Sequence, residues 1–237
     1  MDLALTIDGW IDEEIIFAQQ LGARRVFAQV NGDEDAGALA ALANRIEKAG
    51  LIPAGLHAAP AAGQPTEVVL SKVSQLALAA KPAGFGLLNS PVGLRGKALA
   101  QLSQAAGQAG VELVIPLAAL GLRAADLSLD TVVGALPSAA GCDVPPAVVL
   151  GWLDAAPGKA LPSELRLVSF ENERHPAERQ SCDYDELLLA CWRLRQAGYT
   201  GDVRVGRPVH WKGDSLANHQ ARAYLTGYLR GALQAFG

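Results

Sequence analysis

Cysteine, methionine and aromatic residues are scarce in this chain: 3 Cys, 1 Met and 5% aromatic side chains in 237 residues. Cys142, Cys182 and Cys191 form no Cys-x-x-Cys pair. So sparse and odd a count excludes a disulfide framework and fits a reducing compartment. All three are read as structural, Cys191 on the apolar face of a helix. Basic clusters are also missing. Arg24-Arg25 is the only adjacent basic pair and the formal net charge is -4, which excludes the usual nucleic-acid footprint. No apolar run reaches the roughly 18 residues that a membrane-spanning helix needs. The start, MDLALTIDGW, carries an acid at position two and no basic stretch, so no secretory signal is expected. A cytoplasmic location follows as the expectation, and the abundance of Ala and Gly suggests a bacterial source. No Gly-x-Gly-x-x-Gly follows the first predicted strand, which weakens a dinucleotide-binding sheet. Lys72, Lys81, Lys97 and Lys159 read as surface residues, leaving no lysine for Schiff-base chemistry at a strand end.

What is present is a repeated unit. Helical segments end in Gly22, Gly50, Gly84, Gly110 and Gly198, and each is followed by a short β-rich run. Glycine is favoured just past a helix because it adopts the left-handed conformation without strain. The segment DEEIIFAQQLG is read as a helix with Ile15, Ile16, Ala18 and Leu21 on one face; DAGALAALANRIEKAG and DYDELLLACWRLRQAG show the same period. Asp12, Glu13 and Glu14, and Asp33, Glu34 and Asp35, fall where helices begin and are read as caps and first turns rather than metal ligands. Eight strands are expected, starting near Asp2, Arg25, Leu51, Gly84, Val111, Ala147, Arg166 and Asp202. They are almost wholly apolar, as when both faces are covered. Alternating strands and helices with short links imply parallel strands and right-handed crossovers. The fold class predicted is α/β: one closed (β/α)8 TIM barrel spanning residues 1–237 as a single domain. An open doubly wound sheet is the alternative. The stretch 117–162 is rich in loop residues, and the sixth helix is expected to be very short.

In such a barrel, chemistry sits at the C-terminal strand ends. The polar residues expected there are Asp8, Gln29, Asn31, His57, Asn89, Ser90, Trp152 and Asp154. The seventh strand adds Glu171, Asn172, Glu173, Arg174 and His175, and the eighth adds Arg204, Arg207, His210 and Lys212. The fifth strand ends apolar near Pro116. Each residue has a plain alternative: His57 could be a hydrogen-bonded rim residue, Asp8 a helix cap, residues 171–175 a solvated loop, and Trp211 a cover for the mouth or a stacking surface for a ligand.

The C-terminal third resembles mannonate dehydratase, a lyase of the xylose isomerase-like TIM barrels. The likeness rests on LVSFENERH, YDELLLACWRLRQAGYTG, RPVH and ARAYLTGYLRGALQAF in that order, with IEKAGLIPAGLHAAP matching the third strand and its preceding helix. It is specific over about 70 C-terminal residues and generic elsewhere. It implies a xylose isomerase-like barrel, a divalent metal such as Mn or Zn, and pairing into dimers or tetramers. It also implies His210 as acid/base and Arg207 as the group that holds a carboxylate. The family's metal ligands, however, fall on Pro116, on Leu150 or Gly151, on Ser169 and on Val209, so no metal ligand is assigned. A metal would need a rearranged site, such as His57, Asp154, Glu171 and His175. An ungapped register places residues 204–207 on the Arg-Pro-Asp-His motif, and that choice stays open.

Two functions follow. One is a divergent sugar isomerase-like or dehydratase-like enzyme, acting on a sugar acid or sugar phosphate by proton transfer beside a carbonyl. The catalytic residues would be His210 and Arg207; His57, Glu171, Asn172, Glu173, His175, Arg204, Trp211 and Lys212 would bind the ligand. The other is a non-catalytic descendant holding a small anionic sugar-like ligand or a protein partner. Neither a nucleic acid nor a membrane is an expected partner.

Overall fold

The structure, a computed structural model, describes residues 1–59, 63–90, 93–170, 184–206 and 215–235. Eight parallel strands close into a barrel in sequence order. They are β1 Asp2–Asp8, β2 Arg25–Val30, β3 Ile52–Ala58, β4 Leu87–Asn89, β5 Glu112–Pro116, β6 Ala140–Val144, β7 Leu165–Phe170 and β8 Asp202–Val205. Closure is direct, with Leu5 of β1 in register with Val205 of β8. The surrounding helices are α1 Asp12–Gln20, α2 Ala36–Lys48, α3 Thr66–Ala80, α4 Gly96–Gln108, α5 Leu129–Ala135, α6 Pro146–Ala155, α7 Tyr184–Gln196 and α8 Ser215–Ala235. No helix among the described residues is long and apolar enough to cross a membrane.

One strand is not where the sequence pattern put it. The sixth was expected from Ala147, in the apolar run AVVLGWL. That run is α6, with Val149, Trp152 and Leu153 buried on one face. An apolar run of this length has no period that separates buried strand from buried helix. Pro146 decides it: its fixed backbone angle suits a first helical turn, where a missing N–H costs nothing. The true β6 is AGCDV, all five residues buried, whose Gly and Asp mimic a loop. The short helix is α5, not α6. In α1, Ile15 and Ala18 face the core as expected, but Ile16 is exposed and Glu14 is buried in its stead. Glu14 is held there by Arg222 of α8, whose Nη1 donates to Glu14 Oε2 at 2.8 Å while Nη2 donates to the Thr6 carbonyl. Of the other acids at helix starts, Asp35 is the cap of α2, accepting from the Ala38 N–H, while Glu34 accepts from the Asn31 and Gly32 N–H groups of the preceding loop. Asp12 and Asp33 are instead in ion pairs with Arg45 and Lys72, and no side chain caps α1.

Strand residues alternate between two apolar groups. Leu3, Leu5, Ile7, Val26 and Ala28 pack outward with the helices. Ala4, Phe27, Ala54, Val114 and Leu167, with Leu87, fill the barrel interior. Phe27 fits because β3 carries Gly55 opposite: a Cβ there would stand 2.6 Å from the ring's Cε1. This apolar plug is the floor on which the strand-end residues stand.

Candidate functional site at the C-terminal strand ends

Above the plug, the inward positions turn polar. Register places Asp8, Gln29, His57 and Asn89 side by side across β1 to β4. On the other half, Pro116 of β5 pairs with Asp143 of β6, and Ser169 of β7 with Arg204 of β8. Parallel neighbours in register point to the same face, so the partners in each of these pairings share one face of the sheet.

At its centre lies a buried ion pair. Arg204 Nη2 donates to Asp143 Oδ2 at 2.6 Å, and its Nε donates to Ser169 Oγ at 2.8 Å. The guanidinium carbon stands 5.7 Å from the centroid of the Phe27 ring, on which it rests as a cation on a π face. Asn89 Nδ2 donates to the same Asp143 Oδ2 at 3.3 Å. The two charged side chains are 3% and 5% exposed, so neither charge is relieved by water. Burying two charges is costly, and only the matched geometry and the extra hydrogen bonds offset it.

His57 stands next to this pair and feels both charges. Burial, with the nearby Arg204 second, lowers its pKa from 6.5 to about 4, against the opposing pull of Asp143. Its imidazole is therefore neutral at physiological pH. Its Nδ1 is buried and has no hydrogen-bond partner among the described residues, and the same holds for Asn89 Oδ1 and Asp143 Oδ1. Buried polar atoms are rarely left so.

Of the residues expected to bind ligand, His57 and Arg204 are thus brought together. Glu171, Asn172, Glu173, His175, Arg207, His210, Trp211 and Lys212 lie outside the described residues, as do Arg174, Cys182 and Val209. Trp152 and Asp154 do not reach the mouth, because they belong to α6. Trp152 Nε1 donates to the Leu127 carbonyl, and Asp154 pairs with Arg193 of α7 at 2.6 Å. Asp154 therefore leaves the rearranged metal set. Leu150 and Gly151, where the resemblance put a strand-six metal ligand, are also in α6. The β6 residue at the mouth is Asp143, which sequence reasoning passed over. Its signal was an acid directly before Val-Pro-Pro, where two prolines must end a strand. Cys142 and Cys191 are free and buried. Burial, chiefly, pushes their thiols up to about 12 and about 11, as inert structural cysteines require.

A divalent metal, implied by the resemblance, does not fit the described donors. The ends of β5 to β8 offer Pro116, Asp143, Ser169 and Arg204. Proline supplies no ligand, arginine repels a cation, and Asp143 already neutralises Arg204. Metal ions need several oxygen, nitrogen or sulfur ligands converging on one point. Among the described residues no group of three or more His, Cys, Asp and Glu could hold one.

No protein-family model and no curated protein matches the chain. Solved structures do. A xylose isomerase domain protein from Alicyclobacillus acidocaldarius superposes with a TM-score of 0.64 at 14% identity, covering 99% of this chain and 98% of that one. D-psicose 3-epimerase from Clostridium cellulolyticum gives 0.62 at 12% identity, covering 98% and 99%. An L-ribulose 3-epimerase gives 0.63 at 14% identity, covering 99% and 95%. Likeness at this level of identity speaks to architecture, and with the closed eight-stranded order it shows the fold alone: a (β/α)8 barrel.

Proposed function

We propose that the chain binds a small carbohydrate at the C-terminal mouth and shifts a proton on the carbon beside its carbonyl, in the manner of an isomerase or epimerase. The observation that carries this reading is the belt of Asp143, Asn89 and His57, buried polar atoms with unmet hydrogen-bonding capacity above an apolar plug. A polyhydroxylated ligand satisfies such atoms, and leaving them unmet costs about 1–3 kcal/mol each. The names of the similar structures, epimerases and an isomerase-domain protein, agree with that substrate class. None of those three is a mannonate dehydratase by name, so isomerisation is preferred to dehydration. On the sequence reading, His210 and Arg207 complete the site as acid/base and anchoring group. The proton leaves the carbon for the base and returns either to the opposite face of the same carbon or to the neighbouring carbon, in which case a hydroxyl proton also passes between the two oxygens so that the carbonyl moves.

A second reading, a sugar-binding barrel without catalysis, is favoured by one observation. His57, with its pKa near 4, is too weak a base to take a carbon-bound proton at neutral pH, and Asp143 is clamped by Arg204. One experiment separates the two. Purified protein is incubated with ketohexoses in deuterated water and followed by proton NMR, with binding measured in parallel by calorimetry. Deuterium entering next to the carbonyl supports the enzyme; binding without exchange supports the second reading; neither refutes both.

A further inference from the structure

We infer that the barrel mouth works without a divalent cation and takes an uncharged, hydroxyl-rich sugar, with the Arg204 guanidinium standing as the fixed positive charge at its floor. The sugar class rests on the carbohydrate reading above; the exclusion of the metal does not.

Geometry carries the first half. A guanidinium does not lose its proton at any physiological pH. Arg204 is fixed at the strand-end level by Asp143 Oδ2 on one side and Ser169 Oγ on the other, with the Phe27 ring beneath. A divalent ion at that level would face this charge in a medium of low dielectric constant. It would also have to take Asp143 from its partner, stranding a buried arginine. Neither Pro116 nor Ser169 repays that loss with a ligand.

Charge balance carries the second half. Arg204 and Asp143 cancel and His57 is neutral, so these residues hold no net positive charge to select an anion, and Asp8 at the end of β1 adds a carboxylate. The partnerless buried acceptors of the belt are Asn89 Oδ1 and Asp143 Oδ1, with His57 Nδ1 in one tautomer, and the Arg204 guanidinium stands beside them as a donor. Sugar hydroxyls both donate and accept, so they suit the acceptors and the guanidinium together. A carboxylate or phosphate brings only acceptors and would meet Asp143 Oδ1 with like charge. This replaces the anionic ligand expected from the sequence by a neutral one.

The test uses the full chain after treatment with EDTA. Mn(II) binding is measured by equilibrium dialysis, and calorimetry compares D-fructose with D-gluconate, with and without Mn(II). The expected result is no stoichiometric Mn(II), fructose binding that added Mn(II) leaves unchanged, and weaker binding of gluconate. Because Arg204→Met alone strands a buried carboxylate, the variant is Asp143→Asn/Arg204→Gln, its fold checked by circular dichroism. It should lose fructose affinity by about tenfold or more, the worth of hydrogen bonds to charged groups. Stoichiometric Mn(II) that disappears in Asp143→Asn overturns the inference, as do fructose binding that requires Mn(II) and gluconate binding tighter than fructose. If no sugar binds in any condition, the carbohydrate reading falls and the neutral-sugar half with it. The Mn(II) result then decides the metal half by itself.

Discussion

Arg204→Met is the perturbation most directly tied to the structure. It keeps the length and apolar body of the side chain and removes the charge. Asp143, 5% exposed, would keep only Asn89 Nδ2 at 3.3 Å. Breaking one partner of a buried pair costs about 3–5 kcal/mol, because the other charge is left uncompensated. Against a total stability of about 5–15 kcal/mol, that is a large part of the whole. The loss should depend on pH. The penalised species is a buried carboxylate without its cation, so the loss should be larger at neutral pH than in acid. Replacing both partners, in Asp143→Asn/Arg204→Met, removes the stranded charge and should restore most of the loss. Urea unfolding followed by circular dichroism at pH 7 and pH 5 measures all three proteins, with an unchanged denaturant slope certifying the comparison. A single variant within about 1 kcal/mol of the parent, or a double variant no better than the single, would refute the reasoning.

Other consequences are as direct. The His57 imidazole should remain neutral at pH 6 and titrate near pH 4 by NMR; its folded pKa lies below the unfolded 6.5, so its contribution to stability is present above that value and is lost as pH falls towards 4. A midpoint above 6 would mean that His57 is not buried against Arg204. Asp202, at the N-terminal end of β8, has its pKa raised from 3.8 to about 6 by burial, with Arg25 opposing and Asp2 adding to the shift. Its contribution is present below 3.8 and lost as pH rises through 6, a change of about 3 kcal/mol. Asp202→Asn should flatten that part of the stability–pH profile, and an unchanged profile would contradict the assignment. Gly55→Ala should destabilise by about 1–3 kcal/mol in urea unfolding through overpacking, because the new methyl group meets the Phe27 ring at 2.6 Å and the Leu87 carbonyl oxygen at 2.9 Å. A neutral result would mean that the plug is looser than described.

The alternation of apolar runs with amphipathic segments, and the glycines that close helices at Gly22, Gly50, Gly110 and Gly198 with positive φ, were enough to read an eight-fold barrel from the chain. Those are local signals: periodicity and backbone freedom act over a few residues and survive in a single sequence. The misplaced sixth strand shows their limit, since an apolar run without period is ambiguous until the sheet selects its pairing partner. His57 and Arg204 could be singled out because they stand at the ends of legible strands. Asp143 could not, because β6 itself was unreadable. The pairing of Asp143 with Arg204 joins residues 61 positions apart, and no local rule brings them together. Only the pairing of both strands with β7 sets β6 and β8 two apart around one floor, and the low dielectric of that floor turns two ordinary residues into a fixed charge pair. The sequence determined that a barrel forms and that its strand ends are polar. The tertiary structure decided which of those residues meet, and that the cation among them is an arginine.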